Sequence, residues 1–502
     1  MLAKVVVFAI LIALPTAIMA QPMSVIGWLS ESVTRATPPS LPEGGAGVPA
    51  VEVRPLGAQT SDAAGLLSPS VTGFPRTLWS GGSFDDIVAR IQAHPSESLP
   101  AVQDLFTTLL LSEAVAPRDT QSGDFLLARV DKLLDLGLLE PAVSLLEQGP
   151  LDDPRFFQRW FDASLLLGTE SEACLRLKST PGLTPTYPTR IFCLARVGDW
   201  GAANISFQAA IALDQLTPLE TGLLQRFLDD ASIDNDLPPL PSPGRVTPLT
   251  YRLFEAVGEP LPSDRLPRAF AHRDLGPNNG WRAQITAAER LAGVRAIAPE
   301  RVFETYMLRE PAASGGVWDR VAAIQELEAA LRSGVPDQVA NTLPAAWSAM
   351  EAARLEVPFA RVYGERLTRL SLPGASGALA QRIALLSEGS EEVAAGIDVA
   401  DPDLGFLAAL GRGEVQTARP STQTESAIRN AHLSGPLPLA LERLIEEGDV
   451  GIAVLEALLL FEAGQAGDLD DVTSALRAFN RLGLETIFRR ASLELLMLER
   501  RG

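Results

Sequence analysis

The chain of 502 residues contains only two cysteines and three histidines, and aromatic residues make up 6% of it. Lysine occurs only at Lys4, Lys132 and Lys178, so nearly every basic residue is arginine. These scarcities remove several classes of chemistry. His94, His272 and His432 fall in separate regions and lack the spacing of a zinc site. No nucleophile elbow, phosphate-binding glycine loop or zinc-type cysteine pattern occurs. Beyond the N-terminal segment no apolar run approaches the roughly 18 to 20 residues needed to span a bilayer. Alternating strand patterns of useful length are missing as well, which leaves helix as the expected structure. No catalytic, cofactor-binding or metal-ligating residue is assigned, and no cofactor is expected.

What the chain does have is negative charge. The formal net charge is −20, which argues against nucleic acid or an anionic membrane surface as partner, since both need a basic footprint. A basic or neutral protein fits better. The carboxylates are too abundant for pairs to carry meaning. Asp398, Asp401 and Asp403 before Gly405 do not follow an EF-hand, and Asp468, Asp470 and Asp471 read as charge at a helix start.

The first residues read as a secretory signal. Lys4 supplies the positive end, Val5–Leu14 the apolar run, Pro15 a break, and Ala17–Ala20 a cleavage site before Gln21. An uncleaved anchor is the alternative. The mature chain is expected to be periplasmic or secreted, with no membrane insertion after cleavage. In an oxidising compartment Cys174 and Cys193 are candidates for a disulfide worth ~3 kcal/mol in the chain-entropy model. Two buried free thiols are the alternative.

Five segments follow from composition: a signal at 1–20, a Pro/Gly/Ser-rich linker at 21–82, helical repeats at 83–232, a proline-rich linker at 233–247 and irregular helices at 248–502. Two apolar islands interrupt the first linker, Val25–Leu29 and Val71–Trp79. They read either as segments that tuck back onto the helices or as docking motifs. Helix starts are marked by Ser83 with Asp86, by Thr217-Pro218-Leu219-Glu220 and by Thr247-Pro248.

The repeats show as a glycine with a small residue five positions on. Gly137 leads to Ala142, Gly168 to Ala173 and Gly198 to Ala203, the glycines being 31 and 30 residues apart. That length is one helical hairpin, so the reading is all-α, an α-solenoid of antiparallel helix pairs. Glycine ends the first helix of each pair, and alanine lets the second approach closely. From Arg196 the turn and second helix resemble a tetratricopeptide repeat, through Gly198, Ala203, Phe207 and Ala210. The resemblance covers about residues 125–215. The first-helix positions depart from that pattern, with Val130, Phe161 and Ile191 where the family has a small residue. The whole chain also resembles uncharacterised exported helical proteins of bacteria. A solenoid presents a surface that binds, hence the expectation of a scaffold or adaptor for a protein partner, and the exported compartment alone suggests envelope assembly as the setting. An enzyme acting on envelope polymer with the solenoid as its frame is the alternative, and self-assembly through exposed helix faces is a third.

Overall fold

The computed structural model describes residues 61–184, 186–228 and 239–498. The proposed signal and the island Val25–Leu29 lie outside the described residues. Among the described residues the chain is all-helical, with no strand and only two isolated bridges, Leu67 to Ser112 and Ser83 to Arg118. None of these helices is long and apolar enough to cross a membrane.

The first series is α1 (Phe84–Ala93), α2 (Pro100–Leu111), α3 (Asp124–Leu136), α4 (Leu139–Leu146), α5 (Pro154–Leu167), α6 (Glu170–Ser179), α7 (Tyr187–Arg196), α8 (Trp200–Ala212) and α9 (Pro218–Leu228). The second is α10 (Pro248–Ala256), α11 (Trp281–Ala292), α12 (Pro299–Tyr306), α13 (Val317–Ser333), α14 (Pro336–Ala353), α15 (Glu356–Thr368) and α16 (Gly374–Ala384). The third is α17 (Ser390–Ala395), α18 (Gly405–Gly411), α19 (Gln423–His432), α20 (Leu439–Glu446), α21 (Val450–Gln465), α22 (Leu469–Arg481) and α23 (Glu485–Met497).

The helices begin where local chemistry satisfies their free N–H groups. Ser83 accepts from Asp86 N, Thr217 exchanges bonds with Glu220, and Thr247 accepts from Thr250 N. From α3 to α8 each helix packs on the next. The chain then turns back: α10 packs on α5, and the turn Arg268–Phe270 packs on α3. At the far end α21 packs on α1 and α2, and α23 packs on α2. The last helices thus close against the first.

Two segment boundaries differ from the compositional reading. Residues 61–82 are part of the core rather than linker. Trp79 is fully buried, Leu67, Phe74 and Leu78 are nearly so, and Trp79 meets Phe125 edge-on at 5.6 Å. The island Val71–Trp79 therefore tucks onto the helices. Gly451 lets Leu78 pass directly over α21, since a Cβ there would sit 2.2 Å from the Leu78 carbonyl oxygen. The second difference is at 233–247, whose flanks do not have separate cores. Leu139, Ala163 and Leu166 cluster with Tyr251, Ala269 and Phe270, and the main core runs from Leu67 to Leu498. Apolar faces on α10 and the following turn need cover, and α5 supplies it.

Candidate functional site

The residues singled out in the sequence occupy packing and turn positions. Gly137, Gly168 and Gly198 have φ of 82°, 79° and 83°, a left-handed conformation that glycine adopts without steric cost. Ala142, Ala173 and Ala203 are fully buried. Cys174 on α6 and Cys193 on α7 form a disulfide, with S–S 2.03 Å. The bond ties α6 to α7 at one point, inside the core.

The histidines serve structure in two of three cases. His94 stacks on Phe106 with ring centroids 3.9 Å apart, and burial holds its pKa down at about 4. His272 Nε2 donates to the Gly137 carbonyl at 2.7 Å, and burial again lowers its pKa to about 4. Asp401 accepts from Asp403 N and Leu404 N, and Asp468 from Asp470 N and Asp471 N, so both act as turn or cap groups. Among the described residues no group of three His, Cys, Asp or Glu side chains is placed to hold a metal.

A charged junction that sequence reasoning did not find lies where α23, the last described helix, packs on α2. Asp104 on α2 takes ion pairs from Arg295 after α11, from Arg361 on α15 at 3.3 Å and from Arg490 on α23 at 3.4 Å. Beside it, Glu494 Oε2 accepts from Ala101 N at 2.8 Å. Burial pushes the Glu494 carboxyl up, with Arg490 opposing. Burial lowers the Arg361 guanidinium to about 10, and the like charge of Arg490 adds to the effect. Three arginines on one carboxylate make a costly arrangement unless each is further paired. Arg361 has a second partner, Glu388, at 3.6 Å.

Arg361 is also where this junction reaches a cavity. A space of about 1300 Å³ is bounded by α12, α15, α16 and α17. Its charged lining is Glu300, Glu365, Glu388, Glu391 and Glu392, with Arg361 as the lone cation. Leu370, Leu372 and Val393 supply apolar wall between them. A smaller groove of about 420 Å³ between α19 and α22 is lined mainly by uncharged polar groups such as Thr422, Ser426 and Asn430.

The second unusual surface is on α6 to α8. Ile205 is 73% exposed, Leu175 and Leu213 are 58%, Trp200 is 48% and Ile211 is 45%. Ala203, Phe207 and Ala210 of α8 face the core. A helix apolar on both its buried and open sides is built to be covered on both.

No known family, curated protein or solved structure matches the chain.

Proposed function

We propose that this chain is an exported helical-repeat scaffold or adaptor that binds a protein partner, with envelope assembly as its setting. The observation that carries the reading is the open face of α8. Trp200, Ile205 and Ile211 of α8 are exposed, as are Leu213 just beyond it and Leu175 on α6, and large apolar side chains left open to solvent are where a protein contact would form. The Cys174–Cys193 disulfide supports an oxidising compartment, in line with the signal-like N-terminus. The net charge of −20 and the acidic cavity favour a basic or neutral partner. In this reading the stacked pairs from α3 to α8 act as a solenoid that displays α8, and the carboxyls raised by burial, Asp162 to about 6 and Glu462 to about 7, lie outside the cavity lining.

The test is in-cell crosslinking of a C-terminally tagged chain, followed by mass spectrometry of what is recovered. A specific envelope protein recovered in stoichiometric amount, and lost on Ile205→Glu, is the expected result. Recovery of the chain alone, with crosslinking shown to work on a control complex, would overturn it.

A further inference from the structure

We propose that residues 239–245, on the surface between α9 and α10, are a ready-made ligand for a partner protein. They are held as a polyproline II rib that fits an aromatic-lined groove with one carboxylate at its end. This contact rests on the adaptor reading and adds to α8 a second point of recognition.

The conformation begins with the residues. The stretch is Pro239-Leu240-Pro241-Ser242-Pro243-Gly244-Arg245. Each proline holds its own φ near −65° and pushes the residue before it into extended backbone. Every residue from Leu240 to Pro243 is therefore constrained. The conformation they share is polyproline II, which has three residues per turn and no internal hydrogen bonds.

The structure carries both features. Among the described residues no backbone hydrogen bond involves residues 239–246. Burial returns at every third residue: Leu240, Pro243 and Val246 are half-buried. The pairs between them, Pro241 with Ser242 and Gly244 with Arg245, are exposed. A strand would alternate at every second residue. The chain bends at Gly244 and Arg245, then Thr247 caps α10.

The half-buried edge fixes the rib to the molecule. Leu240 lies over α9, its Cδ2 2.9 Å from where a Cβ on Gly222 would stand. Val246 packs against the cluster of Tyr251 and Phe270. Two edges stay open, and they present Pro239 and Pro241 to solvent. A rib already fixed in its bound shape loses little backbone freedom when a partner takes it, and aromatic faces are what grip such prolines. Arg245 defines the end of the site. It makes no ion pair among the described residues, in a chain with 62 acidic residues. Its guanidinium is free to meet a carboxylate of the partner.

The experiment puts a photo-crosslinking amino acid in place of Ser242 in the full chain, irradiates the cells and sequences the crosslinked peptides. The expected product joins this position to one protein, at a segment that contains Trp or Tyr. The purified partner is then titrated with the full chain by calorimetry. Pro239→Ala with Pro241→Ala should weaken binding about tenfold, because each proline lost returns backbone freedom to the unbound chain. Both prolines are exposed, so thermal unfolding should stay unchanged. Arg245→Gln is the second variant, with an expected loss of about two- to threefold and a flatter dependence on salt. A crosslink to a segment without aromatic residues, no crosslinked protein at all, or equal affinity of wild type and both variants would each overturn the proposal. Ile205→Glu separates it from the adaptor reading. A partner lost on Ile205→Glu but held equally by wild type and the double proline variant leaves the adaptor standing and removes the rib as its contact.

Discussion

Asp62 holds the N-terminus of α3 from 61 residues upstream of Gly123. Its carboxylate accepts from Gly123 N at 2.7 Å, Phe125 N at 2.9 Å and Leu126 N at 3.1 Å. The helix has no capping side chain of its own, because Gly123 stands at the cap. Arg129, fully buried over the Phe125 ring, fixes the same segment by donating to the carbonyls of Asp62 and Ala64. Asp62→Ala should therefore cost more than an ordinary cap, about 2–3 kcal/mol by urea denaturation, because three N–H groups lose a buried acceptor. A loss under half a kcal/mol would show that water replaces the carboxylate. Glu462 makes the opposite kind of contribution. Burial raises its carboxyl from 4.5 to about 7, against the lowering pull of Ser98 and of Gln465, the latter bonded at 3.1 Å. A carboxyl raised on folding favours the folded state most below its unfolded value, and that advantage is lost as pH climbs from about 4.5 through 7. Glu462→Gln should accordingly stabilise the protein at pH 8, by at most about 3 kcal/mol, and make no difference at pH 4. His94 and His272, held down to about 4, act in the reverse sense: their contribution is complete above 6.5 and lost as pH falls to 4. They are common to both proteins, so the difference between wild type and variant isolates Glu462. An offset independent of pH would overturn that assignment.

Among the helices, α8 carries two faces with different duties. Ala203 is fully buried at its packed side, where α7 and α9 lie against it. Ala203→Leu adds atoms to a contact with no room, and should cost roughly 1–3 kcal/mol in thermal or urea unfolding. Unchanged unfolding would remove the alanine from the contact. Ile205→Glu changes the open face of the same helix and should leave stability alone. Such element-level features were legible in the sequence because their causes are local. Ser83, Thr217 and Thr247 mark helix starts by bonds to residues three positions on, and the glycine turns need only one residue in a left-handed conformation. The cysteines were legible too, being only 19 residues apart. Residues 61–82 were not. Their proline and glycine content reads as linker, yet Asp62, Trp79 and the close pass over Gly451 depend on partners distant in sequence. The candidate site was the least legible part. Asp104 meets Arg361 and Arg490 across 257 and 386 residues, and no local pattern encodes a pairing at that distance. Nor does any run of glutamates announce the cavity, whose acidic side chains come from three helices and a loop.

At the scale of the whole molecule, the consequence of packing the last described helices on the first is cooperativity. An open stack of repeats couples each unit only to its neighbours, so that its ends can unfold alone. Here α1 packs on α21, and α2 on both α21 and α23. The Asp104 junction draws arginines from after α11, from α15 and from α23 to one carboxylate, and Glu494 caps α2 from the far end of the sequence. The middle of the chain is also anchored: Glu170, nearly fully buried, takes ion pairs from Arg196 at 2.9 Å and Arg252 at 3.2 Å, joining α6 to α7 and α10. Unfolding either half would strip the apolar cover from the other and leave buried charges without partners, which is costly on both counts. The described residues should therefore unfold in urea as one unit, with far-UV circular dichroism and tryptophan fluorescence giving coincident transitions. Trp79, Trp160, Trp281 and Trp347 sample both halves of the sequence, so the fluorescence reports on each. Asp104→Ala should lower the midpoint for the whole molecule, since three arginines lose their common partner. Two separated transitions, with Asp104→Ala shifting only one, would mean that the halves fold independently and that the proline-rich stretch at 233–247 is a true domain boundary.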